Sequence, residues 1–223
     1  MVVRRSRSQR FGNLKKIGIL GGSFDPVHWG HLLLAETCRD QCDLDEIWFL
    51  PASTPPHKLR QQLTSAAHRV AMLQLAIAGH AALRVSTLEI DRGGVSYTVQ
   101  TLAGLNERYP QDEFFFLMGA DSLQDLPNWY QPQEICRLAI PVAVRRAGAP
   151  EPDLDVLRAV TTPERLASIR AHQAQMPLIE LSSTAIRQAV CAGRSIRYQT
   201  ARAVEKYIQA QGLYRTAESA GGW

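Results

Sequence analysis

The 223-residue chain lacks any hydrophobic run long enough to cross a membrane. No apolar stretch approaches the ~18 residues that a membrane-spanning helix requires. The basic start of the chain also lacks the apolar segment of a secretory signal. We therefore expect a cytoplasmic protein without a membrane partner, and a hydrophobic content of 45% is enough for one full core.

Cysteine is scarce, and its spacing is not that of a metal site. Cys38 and Cys42 are four residues apart in a stretch predicted as helix, whereas Cys136 and Cys191 stand alone. The absence of a Cys-x-x-Cys pair and of a neighbouring histidine cluster argues against zinc. We predict reduced, structural thiols, no catalytic cysteine and no metal held by the protein itself.

Acidic residues are absent from the first 16 positions, which contain six lysines and arginines. The whole chain has 25 basic residues, so the other 19 face 21 acidic residues and the body is close to neutral. A nucleic-acid-binding body usually has its own basic face, so we do not expect a nucleic-acid partner. We predict a disordered basic arm over 1–14, one domain over 15–215 and a tail over 216–223. An arm attracted to RNA or to a membrane stays open as the alternative.

An eleven-residue stretch, GGSFDPVHWGH at 21–31, joins an apolar run to a helical one. The run Lys16–Leu20 is predicted as a buried strand, and a helix is predicted from about Gly30 to Cys42. A glycine turn between strand and helix aims backbone N–H groups and a helix N-terminus at an anion. His28 and His31 are three residues apart at this junction, so both can face one pocket. The alternative is a plain turn with incidental histidines.

Strands and helices alternate along the rest of the chain. Apolar periodicity and β-branched or aromatic runs predict strand 46–50, helix 65–79, strand 83–90, helix 99–109, strand 113–118, strand 138–144, a partly helical segment 154–175, strand 177–181, helix 182–192 and helix 200–211. This alternation predicts an α/β fold with a doubly wound, mostly parallel sheet and a small helical C-terminal part over about 182–215. Strand 113–118 is the most apolar and is expected to be central.

Segments that follow predicted strands contain side chains suited to phosphates. Such folds bind ligands at the C-terminal edge of the sheet, where we expect segments 21–31, 54–58, 119–121 and 182–187. Lys58 ends a proline-rich loop, Asp121 follows the central strand, and Arg187 lies in the first turns of a helix that three hydroxyl residues open. Each has an ordinary alternative: Lys58 as a surface lysine, and Asp121, the hydroxyl residues, Ser96 or Thr98 as helix caps.

Together these motifs resemble the bacterial nicotinate-nucleotide adenylyltransferases, a family of the HxGH nucleotidyltransferase superfamily. The likeness extends from Lys16 to Tyr214 and rests on GGSFDPVHWGH at 21–31, PPHK at 55–58, SYT at 96–98, GADSL to NWY over 119–130 and LSSTAIR at 181–187. It implies a Rossmann-like nucleotidyltransferase fold. It also implies transfer of AMP from ATP to nicotinate mononucleotide, giving nicotinate adenine dinucleotide and pyrophosphate in NAD biosynthesis.

The resemblance further implies roles for individual residues. The catalytic residues would be His28, His31, Lys58 and Arg187. ATP would contact Gly22, Ser23, Phe24, His28, His31, Gly119, Asp121, Ser183, Thr184 and Arg187, and the nicotinate end would contact Thr98, Trp129 and Tyr130. Asp121 would hold the adenosine ribose, while Trp129 would stack on the pyridine ring. Mg²⁺ is implied as a cofactor bound through the ATP phosphates, and a homo-oligomer is left open.

The chemistry itself needs few specialised groups. A mononucleotide 5′-phosphate is largely dianionic at pH 7, because its second pKa is ~6, so it can attack the α-phosphorus of ATP without a general base. The protein must mainly align two anions and neutralise charge on the departing pyrophosphate. Nicotinamide mononucleotide or phosphopantetheine as acceptor, and a non-catalytic nucleotide sensor, stay open as alternatives.

Overall fold

The computed structural model describes residues 14–55 and 63–215, in which six strands form one parallel sheet. The strands are β1 (Lys16–Gly22), β2 (Glu46–Pro51), β3 (Leu83–Val85), β4 (Glu113–Gly119), β5 (Ile140–Arg146) and β6 (Ala174–Met176). Their order across the sheet is β3-β2-β1-β4-β5-β6. This order confirms the predicted doubly wound α/β fold, and it reverses between β1 and β4.

Helices flank both sides of this sheet. They are α1 (Trp29–Gln41), α2 (Ala66–Ile77), α3 (Leu88–Arg92), α4 (Thr98–Arg108), α5 (Ala120–Asp125), α6 (Pro132–Leu138), α7 (Pro163–Ala171), α8 (Ser183–Cys191) and α9 (Arg202–Ala210), with 3₁₀ turns at Leu126–Asn128 and Leu154–Ala159. The last two helices form the predicted helical C-terminal part. Over residues 14–55 and 63–215, no helix combines the length and apolarity needed to cross a membrane.

The central strands are the most buried part of the protein. All six residues of β2 are buried, as are Phe114, Phe115 and Phe116 of β4. Parallel strands covered on both faces have nearly continuous hydrophobic sequences, which is why these runs could be recognised as strands. The predicted central position of β4 is confirmed, since β4 lies between β1 and β5.

The predicted strand 83–90 is wrong in its second half. Pairing with β2 ends after Val85, where the Ser86 N–H donates to the Phe49 carbonyl at 2.9 Å, and Leu88–Arg92 is helix α3. The apolar pattern fits both structures, because the short helix buries Leu88 and Glu89. Alternation over so few residues does not separate a strand from one helical turn.

The last predicted strand, 177–181, is also wrong, because the edge strand is β6 (Ala174–Met176), paired with β5. Pairing stops where the Ala147 N–H donates to the Met176 carbonyl at 2.9 Å. Pro177 follows and has no N–H to continue a ladder. The strand predicted from 138 begins at Ile140, since Leu138 still belongs to α6.

The four cysteines are free, and three of them are buried. Burial raises the pKa of Cys42 and Cys136 to about 11, so these thiols are protonated at neutral pH. They pack in the core, as expected for structural thiols. Residues 1–13 and 216–223 lie outside the described residues, so the predicted arm, tail and domain limits stay predictions.

Candidate functional site

A cavity of about 840 Å³ opens at the carboxyl ends of β1 and β4. Gly21 and Gly22 line it from the end of β1, and Gly119 and Asp121 line it from the end of β4. The strand order reverses between these two strands, which is where open α/β sheets bind ligands. The volume is also in the range of small-molecule sites, roughly 300–1,000 Å³.

Distant segments of the chain meet in this cavity. Eight predicted site residues line it: Gly22, Ser23, His31, Thr98, Gly119, Asp121, Trp129 and Tyr130. Five others are outside its lining but belong to the loop after β1 or to the helix that contacts that loop: Phe24, His28, Ser183, Thr184 and Arg187. Lys58 lies outside the described residues.

The two histidines lie against each other at the start of α1. Their rings stack with centroids 3.8 Å apart and planes 27° apart. The backbone N–H of His28, the residue that caps α1, donates to Nδ1 of His31 at 3.3 Å. Because Nδ1 is the acceptor, the neutral ring of His31 has its proton on Nε2. The neutral His31 ring can therefore donate an N–H from Nε2.

His28 is almost fully buried, with 6% of its surface exposed. Burial lowers its pKa from 6.5 to about 4, so the ring is neutral at pH 7. Within the described part of the chain, no group accepts from or donates to its Nδ1 atom. A buried polar atom without a partner is costly and points to a missing ligand or solvent contact.

Gly30, between the two histidines, leaves room for the buried ring. A Cβ atom at position 30 would lie 3.0 Å from both Cε1 and Nδ1 of His28. We expect Gly30→Ala to lower kcat about tenfold, because the methyl group displaces the ring by a fraction of an ångström. The free energy of unfolding should change little, because the preference of a helix for alanine over glycine, ~1 kcal/mol, offsets the crowding of the methyl group. Steady-state kinetics and urea unfolding measure the two effects separately.

Gly104→Ala is the matched control for that substitution. Gly104 lies inside α4, and a Cβ atom there would meet only the Leu88 Cδ2 atom, at an ordinary 3.9 Å. It should gain the same helix preference and leave kcat unchanged. Equal kcat values for Gly30→Ala and the wild type would contradict a tightly packed His28 ring.

Residues 23–31, from the end of β1 to the first turn of α1, form the histidine loop. Helix α8 is attached to this loop by side-chain hydrogen bonds. The Ser183 hydroxyl donates to the Pro26 carbonyl at 2.8 Å, and Arg187 Nη1 donates to the Asp25 carbonyl at 2.7 Å. Arg187 Nη2 also donates to the Thr184 hydroxyl at 3.3 Å. Ser182 caps the helix through the Ala185 N–H, so capping and loop contact occur together. The Ser-Ser-Thr turn therefore lies against residues 25 and 26 of the histidine loop.

Residues 96–98 lie where α4 enters the cavity. Neither Ser96 nor Thr98 caps α4, because Tyr97 occupies the capping position and Thr98 is the first helical residue. The buried Ser96 hydroxyl instead accepts from the Ser53 N–H at 3.0 Å. This bond joins the loop after β2 to the start of α4.

The aromatic residues beyond β4 are held by neighbouring side chains. Trp129 Nε1 donates to Asp125 Oδ2 at 3.2 Å, and the indole meets the Phe116 ring edge-on at 6.0 Å. The rings of Tyr97 and Tyr130 are 5.2 Å apart. Asp121 lies in the first turn of α5, where Gly119 is the cap, so the alternative of an Asp121 cap is wrong.

Sequence reasoning missed several polar residues around the cavity. Arg69 is 2% exposed and donates to the Ser23 and Ala52 carbonyls at 3.0 and 2.8 Å. Buried Glu89 lines the cavity and accepts from the Thr101 hydroxyl at 2.8 Å. Asp25 lies within the motif at 21–31, but the sequence pattern assigned it no role. Nothing in the local sequence around Arg69 or Glu89 marks either residue, since their partners come from other elements.

Comparisons with known proteins assign the chain to a family. A family model described as cytidylyltransferase-like matches residues 19–189. The chain is 40% identical to the nicotinate-nucleotide adenylyltransferase of Bacillus subtilis over 203 residues, covering 91% of this chain and 100% of that protein. It is 43% identical to a protein of Thermomicrobium roseum named a probable nicotinate-nucleotide adenylyltransferase, covering 92% of this chain and 94% of that protein.

A solved structure is similar in fold. Nicotinic acid mononucleotide adenylyltransferase of Plasmodium falciparum, complexed with NaAD, superposes with a TM-score of 0.68 at 19% identity, covering 90% of this chain and 97% of that one. At that identity the likeness concerns the fold alone. The curated relatives and the family model carry the assignment, and the chain belongs to the nicotinate-nucleotide adenylyltransferase family, within the cytidylyltransferase-like group.

Proposed function

We infer that this chain transfers AMP from ATP to nicotinate mononucleotide. The observation that carries the inference is the near full-length identity of 40% or more to named nicotinate-nucleotide adenylyltransferases. A phosphate oxygen of the mononucleotide forms a bond to the α-phosphorus of ATP, and the bond from that phosphorus to the bridging oxygen of pyrophosphate breaks. The products are nicotinate adenine dinucleotide and pyrophosphate.

We propose that the histidine loop binds the ATP phosphates. His28 would contact them as a neutral N–H donor, because burial holds its pKa at about 4. His31 would present Nε2, since Nδ1 already accepts from the His28 N–H. Donors fixed in advance by packing stabilise charge in a transition state without reorganisation. The start of α1 adds its own positive partial charge.

We propose the remaining ATP contacts from position alone. The exposed Asp121 carboxylate at the end of β4 suits the hydroxyls of a ribose. Gly22, Ser23, Phe24 and Gly119 would offer backbone groups. Ser183, Thr184 and Arg187 would bind the pyrophosphate, and Arg187 has five N–H donors, of which contacts to Asp25 and Thr184 use two. Lys58 stays a proposal that rests on the motif.

We propose that the nicotinate end lies between α4 and the aromatic turn. Thr98 begins an eleven-residue helix, whose N-terminal N–H groups suit a carboxylate. Trp129 offers a flat face whose orientation Asp125 fixes through the indole N–H, and the Tyr130 backbone would complete the pocket. A carboxylate at a helix start gains up to ~1 kcal/mol over a neutral amide, so the acid should be preferred.

Mg²⁺ is proposed to arrive with ATP rather than in a protein cage. In residues 14–55 and 63–215, no three or more His, Cys, Asp or Glu side chains are grouped to hold a metal ion. Asp125 lines the cavity and could accept hydrogen bonds from the water molecules of a phosphate-bound Mg²⁺, which usually keeps several waters. We also propose a cytoplasmic location, supported by four free cysteines.

Pyrophosphate release measured with a panel of acceptors tests this function. We expect turnover with nicotinate mononucleotide, with kcat/KM up to about fivefold above that of nicotinamide mononucleotide, from the charge at the start of α4. Phosphopantetheine should give none. Turnover with phosphopantetheine alone would refute the acceptor assignment. Tight ATP binding without pyrophosphate release from any acceptor would favour a nucleotide sensor.

A further inference from the structure

The histidine loop itself contains a buried carboxylate. Asp25 is 2% exposed. Its Oδ1 atom accepts from the Tyr214 hydroxyl at 2.6 Å, and Oδ2 accepts from the Thr64 N–H at 3.0 Å. A buried carboxylate is tolerated only when such bonds or a nearby cation compensate it. Both partners are distant in sequence, and Tyr214 follows the end of the last helix, α9.

The nearby cation is Arg69, which is also 2% exposed. Burial lowers the pKa of Arg69, and the charge of Asp25 acts in the opposite direction. The guanidinium donates to the Ser23 carbonyl, one residue before Phe24, and Arg187 donates to the Asp25 carbonyl, one residue after it. Side chains from α2 and α8 thus hold the backbone on both sides of Phe24.

Phe24 needs that support because its backbone is unusual. Its φ is +48°, in the left-handed region that side-chain-bearing residues rarely adopt. Such conformations persist only where the surroundings over-determine them, and they cluster at functional sites. The Phe24 ring lies edge-on to His31, with centroids 5.0 Å apart. The conformation of residue 24 therefore bears directly on the position of the imidazole.

We propose that Tyr214 is a positioning residue for AMP transfer, acting through Asp25 to hold the histidine loop, with His28 and His31, in its working arrangement. The inference rests on the proposed function of that loop. Tyr214 itself has φ +65° and a half-buried side chain. Its hydroxyl links the segment after α9 to the first loop. No contact of Tyr214 with substrate is required.

Tyr214→Phe tests this directly, because it removes one oxygen and keeps the ring. Tyr207→Phe is the matched control. The Tyr207 hydroxyl lies 2.8 Å from His68 Nδ1 and joins α9 to α2. Tyr207→Phe loses the bond to His68, and Tyr214→Phe loses the bond to Asp25 together with a long contact to the Met72 sulfur at 3.9 Å. The measurements are kcat, KM for ATP and the urea midpoint of unfolding, at a temperature where circular dichroism shows both variants folded.

We expect Tyr214→Phe to lower kcat about tenfold or more, as a misplaced catalytic group does, with KM for ATP within about threefold of the wild type. Tyr207→Phe should keep kcat within about twofold and lower the urea midpoint less, because only Tyr214→Phe leaves a buried carboxylate oxygen without its donor. Equal kcat for wild type and Tyr214→Phe, or parallel losses in the two variants, would overturn the inference. Absence of turnover in the wild type itself would instead refute the proposed function.

Discussion

His31→Ala is expected to lower kcat for AMP transfer by about 10²–10³-fold. The proposed role of Nε2 is to donate to phosphate oxygens as charge moves onto pyrophosphate. Such a contact acts mainly in the transition state, so the dissociation constant for ATP should change less than about threefold. Pyrophosphate release gives kcat, and calorimetric titration with ATP alone gives the affinity.

Two further variants separate chemistry from folding. In the wild type, His31 Nδ1 accepts a hydrogen bond from the His28 N–H. The side-chain oxygen of asparagine can accept the same bond, so His31→Asn should retain stability and still lose turnover. His80→Ala removes a half-exposed histidine whose partner is Glu36, on the surface, and should leave kcat unchanged. Equal losses of kcat and ATP affinity in His31→Ala would mean that His31 only binds ATP.

Acid is expected to destabilise the protein through His28 by about 3 kcal/mol in total. Its pKa is about 4 when folded and 6.5 otherwise. The unfolded chain therefore binds a proton between these values that the folded protein does not, and the free energy of unfolding falls by about 1.4 kcal/mol per pH unit. The effect is absent above pH ~6.5, grows as the pH falls towards ~4, and then levels off.

His28→Asn isolates this term from the other acid-sensitive groups. Asparagine is a preferred residue at a helix N-cap, the position of His28, and it does not titrate. Urea unfolding of both proteins at pH 7.5 and pH 5 should show the wild type losing about 2 kcal/mol more than the variant. Identical pH dependence in the two proteins would show that His28 is not held neutral by burial.

The elements recognised from the sequence are those whose pattern is local and long. The apolar run of β4 and the strand–glycine–helix pattern of β1 and α1 need no distant partner to be recognised. The wrong predictions concern short elements near the edges of the sheet. Leu88–Arg92 and Ala174–Met176 have too few residues for periodicity. Pairing with β5 makes the second a strand, whereas the first is a helix that buries Leu88 and Glu89.

The motif residues could likewise be recognised from the sequence, but their environment in the folded protein could not. The spacing of His28 and His31 implied a shared location, whereas the burial that lowers the His28 pKa depends on packing that no local pattern encodes. The same holds for Ser183 and Arg187. Their hydroxyl and guanidinium groups indicated an anion site. Only the fold, however, brings α8, on which both residues lie, into contact with the histidine loop.

By itself, the sequence determined the parallel α/β architecture and the segments that gather at the ends of its strands, because hydrophobic periodicity and turn residues act over a few positions. Only the tertiary structure decided which buried side chains hold the loop of that site in place. Asp25, Arg69 and Tyr214 come together from the first loop, α2 and the end of the chain. Burial makes each depend on the others for hydrogen bonds or charge compensation, and that dependence exists only once the core has excluded water.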